Sequence, residues 1–84
     1  MSETATRIAQ IGIIVEDPES VERINSLLHE YSGYIIGRMG MPYRERRISI
    51  ISLIVDAPNE KISALSGKLG MFPGVSAKTV YAKI

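Results

Sequence analysis

The sequence contains no cysteine, and this absence sets the first limit on what the chain can do. Without thiols it can form no disulfide, no thiolate metal site and no cysteine nucleophile. The same absence is typical of proteins kept in a reducing compartment, so we predict a cytoplasmic location. We therefore expect folding and function to depend on packing and on the remaining polar groups.

Histidine is almost as scarce, because His29 is the only one in the chain. A transition-metal site needs several nitrogen or sulfur ligands, which one imidazole cannot supply. The chain also lacks a Gly-x-Ser-x-Gly motif, and its adjacent acids Glu16 and Asp17 stand where a helix is expected to begin, which indicates capping. We predict no metal, no cofactor and no catalytic residue.

Long apolar runs and a strong net charge are missing as well. No stretch approaches the ~20 apolar residues that a membrane helix needs. Residues 1–6 have neither the basic flank nor the apolar run of a signal peptide. The formal charge is +1, from 10 basic and 9 acidic residues, so no global field favours nucleic acid or anionic lipid. We expect no membrane association and no direct nucleic-acid binding.

The chain does contain two short apolar segments rich in β-branched side chains, residues 11–15 and 48–55. Such segments are typical of strands that are buried on both faces. Each is followed by an acidic residue, a proline and an apolar stripe at helical spacing, which predicts a helix. The predicted strands are residues 7–16, 34–41, 48–55 and 75–83, and the predicted helices begin at Asp17 and Asp56. In the predicted turn after the first helix, Gly33 can adopt a positive φ.

The two halves of the chain repeat the same pattern. Residues 11–18 match residues 51–58 at a spacing of 40, and the following helical stripe matches at a spacing of 41. Two βαβ halves predict an α+β, ferredoxin-like βαββαβ fold. Its four-stranded antiparallel sheet would carry both helices on one face, with the first and third strands in the middle. We expect residues 1–6 to be a disordered N-terminus and residues 7–84 to form one domain.

That layout leaves the other face of the sheet without helices. Five isoleucines would lie on it, namely Ile8, Ile14, Ile48, Ile50 and Ile54. A patch of this kind exceeds what a monomer usually exposes. Covering several isoleucines contributes several kcal/mol at ~25 cal/mol per Å² of apolar surface. We therefore predict a homo-oligomer, either a dimer or a tetramer, that covers this face.

Three segments together resemble a known family. They are Arg38-x-Gly40-x-Pro42-x-Arg44-Glu45, Ala64-Leu65-Ser66-Gly67-Lys68-Leu69-Gly70 and Gly74-Val75-x-x-Lys78-Thr79. In combination they resemble the small stand-alone iron-only hydrogenase system regulators. The order of a strand, an acidic residue, a proline and a helix is similar to that of ACT-like regulatory domains. The resemblance implies an ACT-like fold, oligomerisation through the sheet and a regulatory role.

We predict a non-enzymatic regulatory module that binds a small effector or a partner protein. Its ligand would lie at the first helix start and the neighbouring hairpin, which supply Asp17, Pro18, Arg38, Gly40, Pro42, Arg44 and Glu45. The fold is also similar to the C-terminal domain of nickel-responsive repressors, but the chain lacks their cysteine and repeated histidines. The alternative is a small enzyme of the dimeric ferredoxin-like barrel type, which needs a polar cavity between sheets. A third alternative, RNA-recognition-type binding, would require aromatic residues where the central strands carry isoleucines.

Overall fold

The computed structural model describes residues 5–84, so most of the segment predicted to be disordered, residues 1–4, lies outside the described residues. The elements follow the order βαββαβ, as the repeat predicts. The strands are β1 (Arg7–Val15), β2 (Ile35–Tyr43), β3 (Ile48–Ala57) and β4 (Val75–Tyr81), and the helices are α1 (Val21–Glu30) and α2 (Asn59–Gly70). Single 3-10 turns, Pro18–Ser20 and Ser32–Tyr34, lie on either side of α1.

The four strands form one antiparallel sheet in the order β2-β3-β1-β4. The predicted ferredoxin-like α+β fold is therefore confirmed, with the first and third strands in the middle. In the central pair, Ile11 lies opposite Leu53 and Ile13 lies opposite Ile51. Because residues 11 and 13 correspond to 51 and 53 in the repeat, the two halves meet symmetrically at the centre of the sheet.

One face of the sheet holds the hydrophobic core. Alternate residues of the central strands point to this face because side chains of a strand alternate between its two sides. The predicted inward set is fully buried and consists of Ala9, Ile11, Ile13, Val15, Ile51, Leu53 and Val55. The helices complete the core with Ile24, Leu27, Leu28, Ile62, Leu65 and Leu69. Both helices thus cover the same face, as predicted.

The second helix begins later than the sequence indicates. Asp56 does not open it, because Asp56 still pairs with Ile8 and keeps β3 extended to Ala57. The helix α2 begins at Asn59 after Pro58, and no side chain caps its first turn. The prediction that the two helices start by the same chemistry is therefore wrong: only the first start has an acid in the capping position.

The edge strand β2 and the turn before it also differ in detail from the prediction. Pro42 belongs to β2, which ends at Tyr43; an edge strand tolerates proline because one side of its backbone makes no ladder bonds. The register of β2 shifts between Ile35 and Gly37, and glycine inside a strand often marks such a bulge. Gly33 does not have a positive φ, because the chain leaves α1 through a 3-10 turn.

No helix within residues 5–84 is long and apolar enough to cross a membrane.

Candidate functional site

The face of the sheet that carries no helix is largely apolar. As predicted, Ile8, Ile14, Ile50 and Ile54 are exposed there, and Ile48 is half-buried. The register adds apolar residues from both edge strands, because Met41 lies opposite Ile50 and Val80 lies opposite Gln10. The exposed apolar set spans all four strands and comprises Ile8, Ile14, Met39, Met41, Tyr43, Ile50, Ile54 and Val80. We call this surface the open sheet face.

A groove lies on the other side of the sheet, between α1 and the edge strand β2. Its middle section has a volume of about 280 Å³ and is lined by residues of both elements, among them Val21, Asn25, Arg38 and Gly40. A second section of about 280 Å³ continues toward the β2–β3 turn and shares Val21 and Pro42 with the first. We call these two sections together the α1–β2 groove.

Five of the seven predicted ligand-binding residues line the α1–β2 groove, although they come from distant parts of the sequence. They are Pro18, Arg38, Gly40, Pro42 and Arg44. Asp17 and Glu45 do not line it. The Asp17 carboxylate instead accepts the backbone N–H of Glu19 at 2.9 Å and so caps the turn that carries Pro18. Ligand binding by these residues stays a prediction.

The internal repeat explains why this groove exists. Gly40 lies opposite Ile51 in the sheet, and Thr79 lies opposite Ile11, so Gly40 and Thr79 hold corresponding positions in the two halves. The Thr79 hydroxyl donates to Ser66 Oγ of α2 at 3.2 Å. This hydrogen bond joins the helix to the edge strand in the second half. Gly40 has no side chain to do the same, and a Cβ built on it would meet no atom within 4 Å. The first half therefore stays open between its helix and its edge strand.

A second pair of corresponding positions widens the same opening. Pro42 lies opposite Ser49 and corresponds to Tyr81, which lies opposite Ala9. The Tyr81 ring packs against the core, with the Arg7 guanidinium 4.0 Å from its centre. Pro42 is too small to cover the equivalent surface, so it remains exposed as part of the groove wall.

Arg38 crosses the groove from the strand to the helix. Its Nη2 donates to Asn25 Oδ1 at 3.0 Å, and this hydrogen bond orients the guanidinium over the gap that Gly40 leaves. Beyond Arg38 lies a further cavity of about 340 Å³ beside His29 and Ser32. Arg38 lines both this cavity and the middle section of the groove, so its side chain separates the two.

The turn between β2 and β3 contributes a residue that the sequence analysis did not select. Arg47 lines the groove together with Arg44, whereas Arg46 and Glu45 do not. Its φ of 57° is the only positive value among the non-glycine residues of the described chain. The available signal was its place as the last residue of a four-residue hairpin turn, a position that favours a left-handed backbone.

The start of α1, which forms the other wall of the groove, is held by the turn before β4. The backbone N–H of Glu16 donates to Gly74 O at 2.7 Å, and the buried Ser20 hydroxyl donates to Pro73 O at 2.7 Å. Gly74 has a φ of 68° and packs directly on Asp17. These contacts fix Pro18 and Val21, so the wall is rigidly placed relative to the sheet.

Acidic and histidine side chains show no clustering of the kind that binds metals. Across residues 5–84, no three of the His, Asp and Glu side chains come together in a way that could hold a metal ion. The polar chemistry of the groove is therefore carried by arginines, Asn25 and Ser49.

Comparison with known proteins assigns the chain to a family. A profile described as "TM1266-like: Iron-only hydrogenase system regulator, putative" matches residues 7–79. A solved structure described as uncharacterized protein TM1266 from Thermotoga maritima superposes with a TM-score of 0.88 at 46% identity, covering 93% of this chain and 99% of that one. A search of curated proteins found no significant match. The fold, its repeat and the motifs around Arg38 and Gly74 thus have a common explanation: the chain belongs to the TM1266-like family of iron-only hydrogenase system regulators.

Proposed function

We propose that this protein is a non-enzymatic, cytoplasmic regulatory module that acts as a homo-oligomer and binds a small effector in the α1–β2 groove. The observation that carries the proposal is the convergence of Pro18, Arg38 and Pro42, with two further predicted residues, on one groove. The family description supports the regulatory role. The other possible occupant of the groove that the sequence predicts is a partner protein.

The dimensions of the groove favour a small effector over a protein segment. Each section has a volume of about 280 Å³, close to the lower end of the ~300–1,000 Å³ found for small-molecule sites. Apolar side chains such as Val21 and Ile51 form most of the walls, and a few arginines supply directed polar contacts. This combination is typical of sites that bind a compact ligand and fix its orientation.

The open sheet face supports the proposed oligomer. Eight exposed apolar side chains on one face of the sheet are more than an isolated domain usually leaves in water. A second copy of the chain would cover them and add stability to a domain of 84 residues, whose own core is small. A dimer that pairs two open sheet faces is the simplest such assembly, and a tetramer would use an additional surface.

The alternative of a barrel-type enzyme receives less support. Such an enzyme needs a polar cavity between the facing sheets. The open sheet face has two hollows, one of about 300 Å³ beside Gly12 and Lys78 and one of about 240 Å³ beside Gln10 and Val80. The Gln10 amide already donates to Ser52 Oγ at 2.9 Å. The lining thus offers one amine and no carboxylate for acid–base chemistry, and most of its side chains are apolar.

The proposal is tested by a thermal-melt panel of amino acids, nucleotides, divalent metals and short duplex DNA, repeated on groove variants. A ligand at 100 times its dissociation constant adds about 2.7 kcal/mol and raises the melting temperature of a small domain by roughly 10 °C. Arg38→Ala and Arg44→Ala should both weaken the binding of any hit because each removes a guanidinium from the groove. Affinity that is unchanged in both variants would contradict this assignment.

A matched pair of glycine variants tests the groove itself. Gly40→Leu places a side chain in the open space beside β2, so it should abolish the response to the hit while the protein remains folded. Gly33→Leu adds the same side chain at a position that is equally open but outside the groove. If both variants respond like the wild type, the effector binds elsewhere.

A further inference from the structure

The section of the groove beside the β2–β3 turn combines apolar walls with two arginine residues. Val15, Pro18 and Val21 form one side of it, and Pro42 lies opposite. Arg44 and Arg47 line it as well, and the remaining lining residues are Tyr43, Ile48 and Ser49. None of the described residues that line this section carries a carboxylate, because Asp17 and Glu45 lie outside it. The electrostatic complement of such a pocket is a negative charge attached to an apolar body.

The backbone of the turn holds Arg47 in a left-handed conformation. The N–H of Arg46 donates to Tyr43 O at 3.3 Å and the N–H of Arg47 donates to Arg44 O at 3.2 Å, which leaves Arg47 in the left-handed region with a φ of 57°. Glycine or asparagine occupies such a position at lower cost, since a left-handed backbone costs other residues about 1–2 kcal/mol. The turn geometry accounts for this φ, and Arg47→Gly can therefore remove the side chain without straining the backbone.

The turn brings two of its three arginines to the pocket. Arg44 and Arg47, at its two ends, both line the pocket, whereas Arg46, between them, does not. An anion bound in the pocket would therefore lie beside two residues whose planar guanidinium groups match the geometry of a carboxylate.

We propose that this pocket binds a small organic anion, with its acidic group held by Arg44 and Arg47 and its apolar body packed against Val21 and Pro42. This inference rests on the proposed function and names the chemical class of the effector. A zwitterionic amino acid fits less well, because its ammonium group would meet guanidinium groups and no carboxylate of the lining. Inorganic phosphate fits less well because it leaves the apolar walls uncovered.

The test uses three probes that separate charge from apolar area: 2-naphthoate, its neutral analogue 2-naphthamide, and inorganic phosphate. Each is titrated into ¹⁵N-labelled protein at constant ionic strength, and backbone amide shifts are followed. We expect 2-naphthoate to shift the amides of Val21, Ile48 and Ser49, and to bind at least about tenfold more tightly than either other probe, since charge-assisted hydrogen bonds are the stronger ones.

Three single-arginine variants provide the matched comparison, because each lowers the net charge by the same amount. Arg44→Ala and Arg47→Gly should each weaken 2-naphthoate binding by about tenfold. Arg46→Ala should change it by less than about twofold, as expected for a solvent-screened charge that does not line the pocket. Arg47→Gly is informative in a second way: glycine relieves the left-handed backbone, so the melting temperature should stay the same or rise while binding is lost.

Several outcomes would overturn the inference, and they differ from a failure of the proposed function. Equal affinity for 2-naphthoate and 2-naphthamide, with shifts in the groove, would refute the anion class and leave groove binding intact. Equal losses in Arg46→Ala and Arg47→Gly would show a general charge effect and refute the pocket. Shifts confined to the open sheet face, or no shifts with any probe, would also refute it. The thermal-melt panel on Gly40→Leu would then decide separately whether the groove binds an effector.

Discussion

Replacing Gly74 by alanine should destabilise the protein more than any other single added methyl group on a described glycine. Gly74 has a φ of 68°, which costs a residue with a Cβ about 1 kcal/mol or more. The new Cβ would also lie 2.7 Å from Asp17 Cβ and 2.9 Å from the Asp17 backbone nitrogen. Such contacts force the backbone to move, and overpacking of this kind costs about 1–3 kcal/mol. We therefore expect a loss of about 2–4 kcal/mol in the free energy of unfolding.

The cost cannot be avoided by a small side-chain rotation, because the backbone around Asp17 is held on both sides. Glu16 donates its N–H to the carbonyl of Gly74 itself, and the Asp17 carboxylate caps the next turn. A shift of Asp17 would therefore weaken the contacts that place Pro18 in the groove wall. A loss of ligand affinity should accompany the loss of stability.

The assay is equilibrium urea unfolding at one fixed protein concentration, since association would otherwise change the apparent stability. Gly33→Ala is the control, because a Cβ there meets no atom within 4 Å and its φ is not positive. That variant should be neutral or more stable by up to about 1 kcal/mol, through the smaller entropy of its unfolded chain. The reasoning is refuted if Gly74→Ala loses less than about 1 kcal/mol, or no more than Gly33→Ala.

Two further predictions concern the core and the open sheet face. Leu53→Ala, at a side chain that is 0% exposed in the centre of the sheet, should cost about 3–5 kcal/mol in urea unfolding; a loss below about 1.5 kcal/mol would mean that the site collapses around the cavity. Ile50→Glu should convert the proposed oligomer to a monomer in sedimentation equilibrium, because it places a charge in the middle of the proposed interface. Met71→Glu, at an exposed residue after α2, should leave the molecular mass unchanged; equal masses in both variants would contradict the proposed interface.

The fold was predictable because its two halves repeat and because the alternation of side chains in β1 and β3 can be counted. Ile11 and Ile13 face the helices, Ile8 and Ile14 face away, and both follow from the period of a strand alone. The start of α2 was not predictable in the same way. Asp56 resembles a capping residue in sequence, but its strand pairing with Ile8 decides its conformation, and that contact joins residues far apart in the chain.

The candidate site was predictable only in part, for a related reason. The sequence indicates that Arg38, Gly40 and Pro42 matter, but it does not show that they meet Pro18 across a groove. The repeat contains a clue that its spacing conceals. The helices match at a spacing of 41, whereas the sheet register makes Gly40 and Thr79 equivalent at a spacing of 39. The bulge between Ile35 and Gly37 contributes to this offset, so the missing side chain at Gly40 becomes visible only in three dimensions.

The symmetric pairing of β1 with β3 has a consequence for the connectivity of the fold. The backbone N–H of Ala82 donates to Ile8 O at 2.8 Å, so the end of β4 lies beside the beginning of β1. The junction between the end of β4 and the beginning of β1 corresponds, in the repeat, to the β2–β3 turn. A circular permutant that joins β4 to β1 and opens the chain between Arg44 and Arg47 would run β3, α2, β4, β1, α1, β2. That order is again βαββαβ, which means that exchanging the two halves along the gene returns the same topology, with the groove now in the second half.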